Sequence, residues 1–208
     1  MADWLANPTA QHVGATIIIL LLVRLLLARR DTYIARSVAE FVEAALGAVI
    51  LVFLVIRPFM IQAFYIPSES MLPTLRVRDH ILVNKLVYRF REPRYGEIIV
   101  FKAPPSASNG KEEVDLIKRV IGKPGDVLEI KNGVVYRNGT PLVEPYLKDG
   151  RTDTNMKATT IPRRSVWVMG DNRNNSTDSR AWGPLDERYI IGKAFFRFWP
   201  PDRIGLIR

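Results

Sequence analysis

The chain has 208 residues, 48% of them hydrophobic and 25% charged, which suits one domain plus an appendage and excludes a disordered or wholly membrane-embedded chain. It has no cysteine, which removes a disulfide scaffold, a thiol nucleophile and cysteine-based metal sites; with only His12 and His80, a Ser-His-Asp triad or a His-rich metal centre has almost no material. The formal charge of +9 is uneven: residues 1–57 hold five arginines against four acids, so a surplus of +8 falls on residues 58–208, as nucleic acid or an anionic lipid surface would demand of a partner.

Thr16–Ala28 (TIIILLLVRLLLA) is almost wholly aliphatic, and His12–Ala15 extends it to bilayer-spanning length. Its one charge, Arg24, lies near the basic end, where a side chain can snorkel to the interface. A cleaved secretory signal needs a positive start, whereas the preceding tail has Asp3 and neither Lys nor Arg. The second apolar segment, Phe41–Ile66, has an uncharged heart over Ala44–Ile56. Between the two lie Arg29, Arg30 and Arg36, which the positive-inside rule places in the cytoplasm. The expectation is a tail over 1–12, transmembrane helices over 13–28 and 41–62, a cytoplasmic loop over 29–40 and an extracytoplasmic domain over 63–208, in a multi-pass protein of the cytoplasmic (inner) membrane. Two buried helices of a helical hairpin are the alternative.

From Ile81 onward, β-branched and aromatic runs alternate with turn signals. Strands are predicted over Ile81–Val87, Glu97–Phe101, Val114–Ile121, Val127–Ile130, Val134–Tyr136, Ser165–Met169 and Ile190–Trp199. Lys123-Pro124-Gly125-Asp126, Asn132-Gly133, Asn138-Gly139 and Asp149-Gly150 punctuate them as turn formers. The reading is a mainly β, mostly antiparallel domain, with the polar region 140–165 as a loop or small subdomain inserted between strands.

Three polar sites interrupt this pattern. In Ile66-Pro67-Ser68-Glu69-Ser70-Met71-Leu72-Pro73, the prolines favour extended or turn geometry, and in an extended stretch Ser68 and Ser70 point the same way. One hydroxyl could attack while the other donates to a developing oxyanion; an ordinary Ser-rich loop is the alternative. In Val114–Gly122, strand periodicity puts Lys118 on a face with Leu116 and Val120, while Arg119 interrupts the Ile117/Ile121 face. A lysine desolvated among aliphatics loses pKa and becomes a competent general base for a serine; a cation at a strand edge with its amine in water is the alternative. The run Gly170–Arg180 (GDNRNNSTDSR) follows an apolar strand and reads as a solvated loop, a calcium loop weakened by Arg173 and by the wrong acidic spacing, or a set of ion pairs supporting a hydroxyl.

Together these segments resemble type I signal peptidases, membrane-bound serine proteases that remove signal peptides from exported proteins. The matching stretches are PSESMLPTL (67–75), LIKRVIGKPGD (116–126) and GDNRNNSTDSR (170–180) with Trp182-Gly183, flanked by ILVNKLVY (81–88), RYGEIIVF (94–101) and GKAFFRFWPPDRIG (192–205). The resemblance implies a barrel-like antiparallel catalytic domain, Ser70 as nucleophile and Lys118 as general base, with the Ser68 hydroxyl and the Ser70 N–H as oxyanion hole. It further implies that Ser176 orients the lysine amine, that Asp178 and Arg180 form a supporting ion pair, and that Asp171 is the acid at the start of the loop. Phe64, Ile66, Pro67, Leu116 and Ile117 would help line shallow substrate pockets that accept small residues, Ala-x-Ala, at the third and first positions before the cut. No metal or cofactor is required. The implied partners are signal-peptide-bearing preproteins, the lipid bilayer and a neighbouring secretion translocon, which turns the basic surplus toward anionic lipid and away from nucleic acid. Glu97 stands where the family often has Asp, Asn174 where Asp is common, and Arg78 replaces a frequent Gly before Asp79. A Ser/Lys peptidase dedicated to one pilus, conjugation or sporulation substrate would carry the same residues. A membrane-tethered β-domain that binds peptides without catalysis would leave Ser70, Lys118 and Ser176 unexplained.

Overall fold

The structure is a computed structural model that describes residues 10–28, 32–56, 60–108, 114–147 and 150–207. The tail over 1–9, the pair Arg29-Arg30, Arg57-Pro58 and Asp149 of the predicted Asp149-Gly150 turn lie outside the described residues. The chain divides into two compact units, residues 1–63 and Phe64–Arg208.

The first unit contains helix α1 (Ala10–Ala28) and helix α2 (Tyr33–Ile50), which pack on each other. Thr32 caps α2 by accepting a hydrogen bond from Ala35 N, as a threonine at this position does when its own backbone is extended. Ala35, Ala39 and Val42 are its buried stripe, at the spacing of one helical face. The reading of 13–28 and 41–62 as two membrane spans, and with it the multi-pass membrane location, is corrected here: among the described residues no helix is long and apolar enough to cross a membrane. The reasons are local. Arg24 interrupts α1, and its Nε lies 3.4 Å from Glu43 on α2. Helix α2 begins at Tyr33, so its 18 residues include Arg36, Glu40 and Glu43, each costly in hydrocarbon. The apolar heart 44–56 is then divided, because α2 stops at Ile50 and Leu51–Ile56 winds as a π-helix.

From Ile61 onward the described residues build two sheets. The larger contains β1 (Ile61–Tyr65), β2 (His80–Asn84), β3 (Ile98–Lys102), β4 (Asp115–Gly122), β9 (Ser165–Met169), β10 (Leu185–Asp186), β11 (Ile190–Trp199) and β12 (Gly205–Leu206). Its order is β1-β2-β11-β3-β4-β9-β10, with β12 beside β11. The smaller, ordered β7-β6-β5-β8, is made of β5 (Val127–Lys131), β6 (Val134–Arg137), β7 (Thr140–Pro141) and β8 (Met156–Thr160).

The expected mainly β, barrel-like class is also corrected. The chain is mixed α/β, and among the described residues both sheets are open paths with free ends rather than closed rings. Closure requires the terminal strands to pair along their length. Here the ends of the large sheet are β1 and the two-residue β10, which is too short to zip a barrel. The 140–165 region holds β8, which pairs with β5, so this stretch is part of the smaller sheet.

The hairpin chemistry is local and clear. Asn132-Gly133 joins β5 to β6 and Asn138-Gly139 joins β6 to β7, with φ of 50° and 77°, and 53° and 80°. Two successive left-handed residues make the turn whose twist matches the flanking strands. Arg78, at φ 74°, takes without a glycine the backbone that glycine takes freely.

Strand β3 reads Ile-Ile-Val-Phe without alternation because both its faces are covered. Ile98 and Val100 pack with Ile66, Met71, Leu75, Ile81, Val83 and Ile117. Ile99 and Phe101 pack on the other face with Val120, Val166, Val168 and Leu185. Strand β4, next to β3, runs into this core, so its Lys118 and Arg119 are both buried, at 3% and 2% exposure.

Candidate active site

Lys118 Nζ lies 2.8 Å from Ser70 Oγ and also donates to Ile117 O at 3.0 Å. Burial holds the Lys118 amine down to about 8 from its ordinary 10.5; the carboxylates of Asp178 and Asp171 pull the other way, and the Arg180 guanidinium adds to the lowering. A primary amine in that range is partly neutral near physiological pH and can accept a proton from the hydroxyl it faces.

Ser70 itself is 8% exposed. Residues 68–75 form bends and turns rather than an extended strand, with Leu72 N donating to Glu69 O at 3.1 Å and Leu75 N to Met71 O at 2.9 Å. This turn still brings the Ser68 and Ser70 hydroxyls within 3.3 Å. Met71 and Leu75, both fully buried in the core beside β2 and β3, hold the turn from below.

The loop after β9 clasps this turn. Asn172 N donates to Ser70 O at 3.0 Å and Asn172 Nδ2 to Glu69 O at 3.1 Å. Gly170 must be glycine because the two segments touch: a Cβ there would stand 2.5 Å from Ser70 O and would overlap Ser176 Oγ. Ser176, which the resemblance sets against the lysine amine, donates its hydroxyl to Asp178 Oδ2 at 2.8 Å. The hydrogen bonds described for the amine go to Ser70 and Ile117.

Three ion pairs hold the loop. Asp178 is fully buried, pairs with Arg180 at 2.8 Å through both oxygens, and also accepts Gly170 N at 2.9 Å. Asp171 accepts Arg119 Nε at 2.8 Å and Nη2 at 2.7 Å, and the Thr74 hydroxyl at 2.5 Å. Arg119 also donates to Gly96 O and lies over the Tyr146 ring at 4.0 Å. Arg173 makes a two-pronged contact with Glu144, 2.9 and 2.5 Å, and donates to Gly170 O. Charges so deeply buried persist only when paired and hydrogen-bonded, as these are.

The sequence reading missed Glu144 and Tyr146, which stand in the polar region taken for an insertion, and gave Asn172 and Thr74 no role. No spacing rule could have found Glu144 or Tyr146, since each meets its arginine across about 25 residues of chain or more. Among the pocket candidates, Phe64, Ile66 and Ile117 share one cluster, whereas Leu116 packs with Ile99, Phe101 and Val120. Pro67 is exposed at the start of the turn.

Residues 38–199 match the family described as Signal peptidase, peptidase S26. The chain is 46% identical over 154 residues to a protein named Probable signal peptidase I-1 in Synechocystis sp., covering 73% of this chain and 78% of that one. It is 44% identical over 162 residues to a signal peptidase I of Leptolyngbya laminosa, covering 77% and 79%. A signal peptidase IB of Staphylococcus aureus is 36% identical over 182 residues, covering 79% of this chain and 91% of its own. With most of the chain matched by the family, and with relatives matched over most of their own length, this protein belongs to the type I signal peptidase (S26) family and is a serine-type endopeptidase.

Proposed function

We propose that the chain cleaves signal peptides from preproteins after small residues, with Ser70 as nucleophile and Lys118 as general base. The observation that carries this reading is the 2.8 Å contact between Ser70 Oγ and a lysine amine that is buried and shifted toward neutrality. Ser70 Oγ attacks the scissile carbonyl while Lys118 takes its proton. The lysine then gives that proton to the leaving amine, and a water activated by the same amine hydrolyses the acyl-enzyme. The Ser68 hydroxyl, 3.3 Å from Ser70 Oγ, and the Ser70 N–H stabilise the oxyanion. Asp171, Ser176, Asp178 and Arg180 act as support by fixing the loop against the serine turn.

The preprotein lies extended, with small side chains before the cut facing the apolar wall of Phe64, Ile66, Pro67 and Ile117; Leu116, packed on the opposite face of the sheet with Ile99 and Phe101, stands apart from this wall. The +8 surplus over residues 58–208 suits an anionic lipid surface close to the machinery that delivers preproteins. Replacing the alanine just before the cut with phenylalanine in an Ala-x-Ala preprotein is expected to lower kcat/KM about 100-fold or more, since a shallow pocket cannot take the ring. The measurement is steady-state cleavage of the two preproteins; equal rates would sink the specificity reading.

A further inference from the structure

The hydrogen bonds described for Asn172 reach neither the lysine amine nor the serine hydroxyl, yet two of them go to consecutive peptide groups of the nucleophile turn. The Asn172 side-chain Nδ2 holds Glu69 O at 3.1 Å and its backbone N holds Ser70 O at 3.0 Å. The peptide unit that contains Glu69 C=O also contains Ser70 N–H, and a trans peptide is planar with these two groups pointing in opposite directions. A donor that fixes the direction of Glu69 O therefore fixes the direction of Ser70 N–H. Leu72 N holds the same oxygen from within the turn, at 3.1 Å, so Asn172 supplies the hold from outside it.

Asn172 is itself held. It is 7% exposed, and its two neighbours in sequence are pinned by ion pairs, Asp171 to Arg119 and Arg173 to Glu144. A residue clamped on both sides cannot drift with its partner, so the direction it imposes on the peptide is rigid. This is the preorganisation that transition-state stabilisation by a backbone donor requires, because a donor that must turn during the reaction contributes less.

We infer that Asn172 is a positioning residue that aims the Ser70 N–H at the oxyanion by fixing the Glu69–Ser70 peptide plane. The inference rests on the reading of Ser70 as nucleophile. It separates Asn172 from the ion-pair residues around it, whose removal acts on the whole loop. In Asn172→Ala, kcat is expected to fall about 10- to 100-fold with KM changed by less than about threefold, somewhat less than the loss of an oxyanion donor outright. Asn172→Asp, which turns an acceptor toward Glu69 O, is expected to fall further.

The experiment measures both variants for kcat and KM, for inhibition by a peptide aldehyde whose adduct oxygen occupies the oxyanion position, and for binding of an uncleavable peptide with proline after the cut. Aldehyde affinity should weaken by the same factor as kcat/KM, while peptide binding and the pH midpoint of activity stay at the wild-type values. Wild-type kcat in Asn172→Ala would overturn the inference, as would a loss of kcat with aldehyde affinity unchanged. A variant whose aldehyde and peptide affinities fall together, with a shifted pH midpoint, would also overturn it, since that pattern marks damage to the whole site. If Ser70→Ala retains activity, the underlying reading fails; if Ser70→Ala is inactive and Asn172→Ala is not impaired, this inference alone fails.

Discussion

Ser70→Ala, Lys118→Met and the double variant are expected to fall to one common floor, at least about 10⁴-fold below wild type in kcat/KM. The two side chains meet at 2.8 Å, and on the proposed mechanism they work as one unit, so removing the second after the first costs little more. Progressively additive losses would contradict the dyad. The same lysine makes a stability prediction of unusual sign. Burial lowers its pKa from 10.5 to about 8, so between those values the unfolded chain binds the proton and the folded chain does not. Stability from this group is therefore complete above about 10.5 and is lost as pH falls through about 8. At pH 7 the wild type carries a buried charged amine at a cost of about 3 kcal/mol, which Lys118→Met sheds. The lost hydrogen bonds to Ser70 Oγ and Ile117 O offset this by about 1 kcal/mol each. The inactive variant should then unfold at pH 7 no lower than wild type, and a midpoint lower by more than about 5 °C would contradict the account.

The second large effect concerns Arg119. Arg119→Met leaves the Asp171 carboxylate, 1% exposed, without the guanidinium that meets both its oxygens. Breaking one side of a buried pair costs about 3–5 kcal/mol, which for a chain of this size lowers the thermal midpoint by roughly 10 °C. Replacing both partners, Arg119→Met with Asp171→Leu, should recover more than half of that loss, because no uncompensated charge remains. Thermal unfolding of the four proteins in this cycle provides the check. A single variant that loses less than about 1 kcal/mol would show that the pair is not what holds the loop.

The turn and strand chemistry of the second unit was legible because it is local. Strands β9 and β11 run over the residues whose β-branched and aromatic content predicts them, and both Asn-Gly pairs form the turns that their backbone freedom favours. The segments 66–73, 114–122 and 170–180 could be singled out as polar interruptions, and the structure brings their Ser70, Lys118, Asp171 and Asp178 together. What composition could not show was how the apolar run 44–56 would be divided. An α-helix and a π-helix share it, and α2 reaches back to include Arg36, so apolar length in sequence did not become apolar length in one helix. Nor could it show sheet closure, which depends on whether distant strands β1 and β10 meet. Glu144 and Tyr146 were hidden for a related reason: their partners lie on other strands and loops, and a Glu or Tyr in a polar stretch reads as solvated until the arginine opposite is known.

The dependence of wild-type kcat/KM on pH, measured from pH 6 to 10 on an Ala-x-Ala preprotein, tests the central claim most directly. A serine activated by the buried Lys118 predicts a rise with an inflection near 8, with activity at pH 6 roughly one hundredth of the plateau. A profile that is flat across this range, or one still climbing at pH 10 as an ordinary exposed lysine would make it, would contradict the assignment of Lys118 as the base that activates Ser70.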